Sequence, residues 1–183
     1  ELVGTQRDLG GTQEDSDFTI TESQLLAGYL DRDGDTLSVT TLTLADDSIG
    51  TLEGDAQNGW TFSPNADWNG TVELNYTISD GNAESNSDLQ VSNSFQVFSV
   101  NDAPLFSQAA ATDIANGTED NDVSFSLTDL LSGFSDVETP TSSLSIAGIS
   151  ANNGSITGDA ANGYTFSPDA DFNGQDRKST RLN

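Results

Sequence analysis

Val100-Asn101-Asp102-Ala103-Pro104-Leu105 is the stretch that divides this chain, because nearly the same sequence plan runs on both sides of it. Proline fixes φ and lacks an amide donor, so Pro104 has no place inside a central strand, while Asn101 and Asp102 bring side-chain oxygens to the boundary. The stretch reads as a joint between repeated domains.

The repeats can be laid side by side. Gly11-Thr12-Gln13-Glu14-Asp15 returns as Gly117-Thr118-Glu119-Asp120, and Gln24-Leu25-Leu26-Ala27-Gly28-Tyr29 as Asp129-Leu130-Leu131-Ser132-Gly133-Phe134. The longest copy begins Gly54-Asp55-Ala56-Gln57-Asn58-Gly59-Trp60-Thr61-Phe62-Ser63-Pro64 and runs to Gly70, and it recurs over residues 158–174. The offset stays between 104 and 106, so one module is about 100 residues, the size of a β-sandwich. After Gly174 the second copy stops, and Asp176 to Asn183 resembles the in-frame translation of a sequencing adapter. Glu1-Leu2 stands where Pro104-Leu105 stands in the second copy. The expectation is a piece of a longer array: one repeat over residues 1–102, an incomplete one over 103–175, and a tail over 176–183 set aside from fold reasoning.

Composition narrows the chemistry. The chain carries 30 acidic against 5 basic residues, a net charge of −25, which argues against nucleic acid and anionic membranes as partners. Three of the five bases lie in the tail, so residues 1–175 hold 29 acids against 2 bases. Divalent cations are the natural counter-charge; simple solubility in a salty or extracellular medium is the plainer explanation. Cysteine and histidine are absent, which removes disulfides, thiolate nucleophiles and the usual general base near neutral pH. No apolar run approaches the roughly 18 residues of a membrane span, so no direct membrane insertion is expected.

Strand signals are short and evenly spaced. Val72, Leu74, Tyr76 and Ile78 alternate with polar residues at the period of a half-buried strand, and similar runs are Phe18–Ile20, Leu37–Leu44, Ile49–Leu52, Trp60–Phe62 and Leu89–Val100. Asp33-Gly34, Asn58-Gly59, Asn69-Gly70 and Asp80-Gly81 punctuate them as turns. The expected fold is all-β, with tandem Ig-like antiparallel sandwiches, the second truncated. One short helix is expected over Thr21–Tyr29, capped by Ser23 with Leu25, Leu26 and Tyr29 inward. Trp60 and Phe62 read as core fillers rather than a sugar-stacking platform.

Counting strand reversals from a first strand near residues 2–10 sorts the acids into two poles. Asp31, Asp33, Asp35 and Asp80 fall at the top; Glu14, Asp67, Asn101 and Asp102 fall at the base, with Asn69 beside them. Asp67 and Asn69 also read simply as turn formers, and the Asp31-Arg32-Asp33-Gly34-Asp35 loop as a solvated polar turn. Clustered carboxylates repel one another unless neutralised, and Ca²⁺ accepts six to eight oxygens at roughly 2.3–2.6 Å with tolerant geometry. Modules meeting head to tail bring a base against a top. The joint then combines Glu14, Asp67, Asn101 and Asp102 with Asp136 and Glu138, which replace the top loop in the second copy. The expected cofactor is Ca²⁺, clamping a hinge.

The joint Val100 to Pro104, the Gly-Thr-x-Glu-Asp start, Asp31 to Asp35, the Phe62-to-Gly70 loop and Tyr76-Thr77-Ile78-Ser79-Asp80-Gly81 together resemble the cadherin-like tandem repeats of large secreted bacterial adhesins and surface proteins. The resemblance covers residues 1–175. It implies sandwiches in series, calcium at interdomain joints with Glu14, Asp31, Asp33, Asp67, Asp80, Asn101 and Asp102 as ligand candidates, export to the cell surface or medium, and a role in adhesion or spacing. The implied partners are neighbouring repeats of the same chain, and surface glycans or other cells. Gln13 is an insertion in the first copy, and Val137 to Pro140 depart from the pattern in the second. Two other classes compete. A carbohydrate-binding module is the alternative, since sandwiches often present loops to sugars; an enzyme is not expected, because a unit repeated in both copies argues for architecture.

Overall fold

The computed structural model describes residues 6–82, 88–174 and 179–182. Contacts divide the chain into two units, Glu1–Val100 and Asn101–Asn183, so Asn101 and Asp102 go with the second.

In the first unit the strands follow the polarity alternation. They are β1 (Gly11–Gln13), β2 (Phe18–Ile20), β3 (Ser38–Leu44), β4 (Gly50–Asp55), β5 (Gly59–Pro64), β6 (Gly70–Ser79) and β7 (Leu89–Phe98), with a one-turn helix α1 (Glu22–Leu25) after β2. They form two sheets, β1-β7-β6-β3 and β2-β5-β4. Inward residues of both meet in one core, where Ile20, Leu25, Phe62, Val72 and Leu74 are fully buried. Phe62 lies edge-on to Phe95 at 5.5 Å and to Trp68 at 6.5 Å. Trp60 and Phe62 therefore fill the core, and Trp68 packs against it.

Two sequence expectations change here. Among the described residues the first strand is Gly11–Gln13 and residues 6–10 form none, while residues 2–5 of the expected strand lie outside the described residues. It also pairs with β7 in parallel, whereas every other ladder of this unit is antiparallel. The close pairing needs a glycine, since a Cβ on Gly11 would collide with the Gln96 carbonyl oxygen and lie 2.9 Å from the Phe98 ring. The helix differs too: Thr21, not Ser23, takes the N-cap, its N–H and hydroxyl each donating to Gln24 Oε1 at 2.8 Å. Leu25 and Tyr29 are buried as expected and Leu26 packs against the core.

The second unit repeats half of this plan. Its elements are β8 (Leu105–Phe106), β9 (Val123–Phe125), α2 (Leu127–Leu131), β10 (Phe134–Ser135), β11 (Ile146–Ser150), β12 (Gly154–Asp159), β13 (Gly163–Pro168) and β14 (Ser179–Leu182). The sheet β12-β13-β9 copies β4-β5-β2, and its register copies as well. Phe18 opposes Phe62 and Ile20 opposes Trp60 in one unit; Val123 opposes Phe166 and Phe125 opposes Tyr164 in the other. Ser126 caps α2 in a reciprocal box with Asp129.

Sequence ends the second copy before any counterpart of β6, which predicts an unpaired edge on β11. The structure instead pairs β11 with β14, antiparallel, as β3 pairs with β6. Among the described residues no strand takes the place of β7. Without that partner, Gly117 to Glu119, the equivalent of β1, has no parallel ladder to join and stays irregular. Where the first unit buries Val72, Tyr76, Ile78, Phe95 and Val97, the second leaves an open cavity of about 1120 Å³ lined by Phe106, Val123, Phe125, Ile156 and Phe166. Among the described residues the antiparallel rule therefore holds for every ladder except β1–β7.

Candidate functional site

At the base of the first unit the chain leaves β1 and turns at Glu14-Asp15. Asp15 adopts φ +57°, a left-handed conformation that Asp and Asn tolerate better than other side-chain-bearing residues. Glu14 is buried, at 3 % exposure, the one acid so enclosed among the described residues. Its N–H donates to the Phe98 carbonyl at 2.9 Å. Its carboxylate accepts the Val100 N–H on Oε1 at 2.5 Å and the Asn69 amide on Oε2 at 3.2 Å. Three segments are thereby tied to one carboxylate: the β1–β2 turn, the β5–β6 loop and the strand end that leads into the joint.

Beside it, Asp15 Oδ1 accepts the Asp67 N–H at 3.1 Å, and Asp67 is itself left-handed at φ +57°. Asp15 escaped the sequence reading as a site residue. The available signal was its recurrence in the Gly-Thr-Glu-Asp motif, and the second unit repeats the contact: Asp120 Oδ1 accepts the Asp171 N–H at 3.1 Å, both residues at φ +59°. Asp67 contributes its backbone to this clasp, and Asn69 its amide to Glu14.

The top pole forms from the loop between α1 and β3 and from the β6–β7 turn. Asp31 Oδ1 accepts the N–H groups of Asp33 at 2.8 Å and Asp35 at 3.2 Å, closing the loop on itself. Those donors, Asp35 first, hold the Asp31 carboxyl below its ordinary value. Asp35 Oδ2 accepts the Asn82 amide at 2.8 Å, and the Asn82 N–H donates to Asp80 Oδ1 at 2.9 Å. Asn82 thus links the two loops, a bridge that no motif announced. Asp31, Asp33, Asp35 and Asp80 stand at one end of the sandwich, Asp33 and Asp35 exposed and Asp31 and Asp80 half-buried.

In the second unit, Asn101 donates its side-chain amide to the Asp102 carbonyl at 2.7 Å, and the Asp102 N–H donates to Glu138 Oε2 at 3.0 Å. Asp136 Oδ1 accepts the Thr139 N–H at 2.7 Å, shaping the loop that carries Glu138. Glu138 Oε1 is buried with no hydrogen-bond partner among the described residues. A buried carboxylate oxygen without a donor is costly in water-free surroundings, and a water molecule or a cation can satisfy it. Asp102 and Glu138, which the sequence reading groups in one ligand set, are joined within the unit by this backbone-to-carboxylate contact.

Comparisons place the chain among known proteins. The family model described as a cadherin-like domain matches residues 2–94 and again residues 100–180. No curated protein was found to match the chain. Among solved structures, one similar chain is the endo-fucoidan hydrolase MfFcnA4 from glycoside hydrolase family 107, at 15 % identity and TM-score 0.36, covering 98 % of this chain and 27 % of that one. Another is the endo-fucoidan hydrolase MfFcnA9 from the same family, at 17 % identity and TM-score 0.31, covering 96 % of this chain and 32 % of that one. The chain thus spans about a third or less of these two solved proteins, and at TM-scores this low neither fold nor activity follows from the likeness. Among the described residues no helix is long and apolar enough to cross a membrane.

Proposed function

Because this chain belongs to the cadherin-like domain family, with two matches in tandem, we propose that it is a pair of calcium-stiffened spacer repeats from a bacterial protein that is secreted or held at the cell surface, where it serves adhesion. In this reading it binds ions and neighbouring repeats and catalyses no reaction.

The observation that carries the proposal is Glu14. A buried carboxylate holds the Val100 N–H, and Val100 is the last residue before Asn101-Asp102. Covalent continuity keeps the Asp102 backbone within about 7 Å of Val100, since two extended residues span no more. Asp102 in turn holds Glu138, whose second oxygen lacks a donor. Glu14, Asp102 and Glu138, with Asn101, Asp67 and Asp136 as further oxygen donors, are the residues that would hold Ca²⁺ at the joint. Asp31, Asp33, Asp35 and Asp80 would serve the same purpose at the opposite end of the first repeat, toward a preceding neighbour.

The mechanism is linkage. An ion bound by the ordered joint and not by the loose one stabilises the ordered state by RT ln(1 + [L]/Kd). Extracellular modules of this kind work at dissociation constants of about 10⁻⁴ to 10⁻³ M. External calcium then sets stiffness, and a stiff spacer holds a distal binding element away from the cell. Calorimetric titration of the whole chain with Ca²⁺ checks this, alongside small-angle scattering with calcium and with chelator. Saturable heat with a narrower, more extended distribution supports the clamp; superimposable curves and no heat reject it.

A further inference from the structure

Six Asn-Gly steps occur in this chain, at Asn58, Asn69, Asn116, Asn153, Asn162 and Asn173. Glycine has no Cβ to shield its amide, so in such a step the glycine nitrogen can reach the Asn side-chain carbonyl carbon. The structure separates the six into two groups by what holds the reacting atoms.

Four are held. Asn58 Nδ2 donates to both oxygens of Asp55 at 3.0 Å, its N–H donates to Asp55 Oδ1 at 2.8 Å, and Gly59 opposes Asp55 in the β4–β5 ladder. Asn162 repeats this on Asp159, with Gly163 opposite Asp159. These donors hold the Asp55 and Asp159 carboxyls below their ordinary value, through the Asn58 N–H first in one and the Asn162 side chain first in the other. Asn69 Nδ2 is on Glu14, and Gly70 opposes Val97. Asn153 is left-handed at φ +59°, its carbonyl accepts the Asp169 N–H at 2.9 Å, and Gly154 opposes Pro168.

Two are open. Asn116 and Asn173 are exposed and outside any strand, as are Gly117 and Gly174. No side-chain or backbone hydrogen bond engages either step among the described residues.

We propose that this protein modifies itself at Asn116-Gly117 and Asn173-Gly174 by spontaneous deamidation, while the steps at Asn58, Asn69 and Asn162 are protected by their side-chain hydrogen bonds and the step at Asn153 by its fixed turn backbone. The glycine nitrogen attacks the side-chain carbonyl carbon; a C–N bond forms, the C–NH₂ bond breaks, and the amide leaves as ammonia with the glycine proton. The resulting succinimide takes up one water at either carbonyl, giving aspartate or isoaspartate. Each event adds one negative charge, and at the isoaspartate one methylene to the backbone. Both sites lie outside the ladders, so the sheets survive the change.

Peptide mapping by mass spectrometry after incubation of the whole chain at neutral pH and 37 °C tests this. The peptides containing Asn116 and Asn173 should each gain about one mass unit, with paired aspartate and isoaspartate peaks. The peptide containing Asn58 should convert roughly tenfold more slowly or less, because its charge-assisted bonds must break first. Asp55→Ala should bring Asn58 up toward the rate of Asn116, and Asn116→Gln should remove the signal at that site. Equal conversion at Asn58 and Asn116 in the unmodified chain would overturn the proposal, as would no conversion at Asn116 and Asn173.

Discussion

Replacing Glu14 separates its structural work from any metal binding. In Glu14→Ala the Val100 N–H and the Asn69 amide lose a charged acceptor, and the cavity under the β1–β2 turn stays behind. Hydrogen bonds to charged groups contribute about 1.5–3 kcal/mol each, but Asn69 is exposed and Val100 half-exposed, so water replaces part of both. The net loss works out at about 2–3 kcal/mol, or roughly 10–20 °C in the melting temperature of a unit of this size. Glu14→Gln keeps an oxygen for the Val100 N–H, and the exposed Asn69 amide is free to flip its oxygen toward the new NH₂ group. That variant should lose about 1 kcal/mol. The assay is urea unfolding in chelator, followed by tryptophan fluorescence. Trp60 and Trp68 are the two tryptophans of the chain and both lie in the first unit, so the signal reports that unit alone. A Glu14→Ala value within about 0.5 kcal/mol of the parent, or a Glu14→Gln as damaging as the alanine, would refute the account of Glu14 as a buried hydrogen-bond hub.

Two more expectations concern the cores. Tyr76 OH donates to the Leu25 carbonyl at 3.1 Å and accepts Gln6 Nε2 at 3.0 Å, and burial pushes the phenol up to about 12 from 10.0. The folded value is the higher one, so the stability it contributes is complete below pH 10 and is lost as pH rises toward about 12. The urea midpoint should fall across that window, and Tyr76→Phe should flatten the fall; an unchanged slope would count against it. Phe62→Ala should cost about 3–5 kcal/mol, because the ring is fully buried between Phe95 and Trp68. Phe166→Ala, at the equivalent but half-buried place beside the open cavity, should cost less than half as much by hydrogen exchange of second-unit amides, and equal costs would mean that this cavity is closed in solution.

Parts of each acidic cluster were legible in the sequence, because strand direction in antiparallel ladders follows from counting reversals. Period-two runs and Asn-Gly or Asp-Gly turns fix how often the chain reverses, and that places Glu14 near Asn69 and the Asp31 loop near the Asp80 turn. The Asp15–Asp67 clasp was not legible. It depends on two left-handed aspartates, and an Asp in a polar loop looks the same whether its φ is positive or negative. Asn82 was missed for a similar reason, since its bridge joins loops 47 residues apart.

The chain by its own pattern determined the repeat, its length, the strand content and the residues that fill the core, because each of these is written in local periodicity and in one module copied into the next. Only the tertiary structure decided that β1 runs parallel to β7, that Thr21 caps α1, and that β14 takes the place on β11 which β6 takes on β3. Those choices depend on which backbone donors and acceptors remain unpaired once the sheets have met. That is a property of the packed assembly of strands and of no single segment.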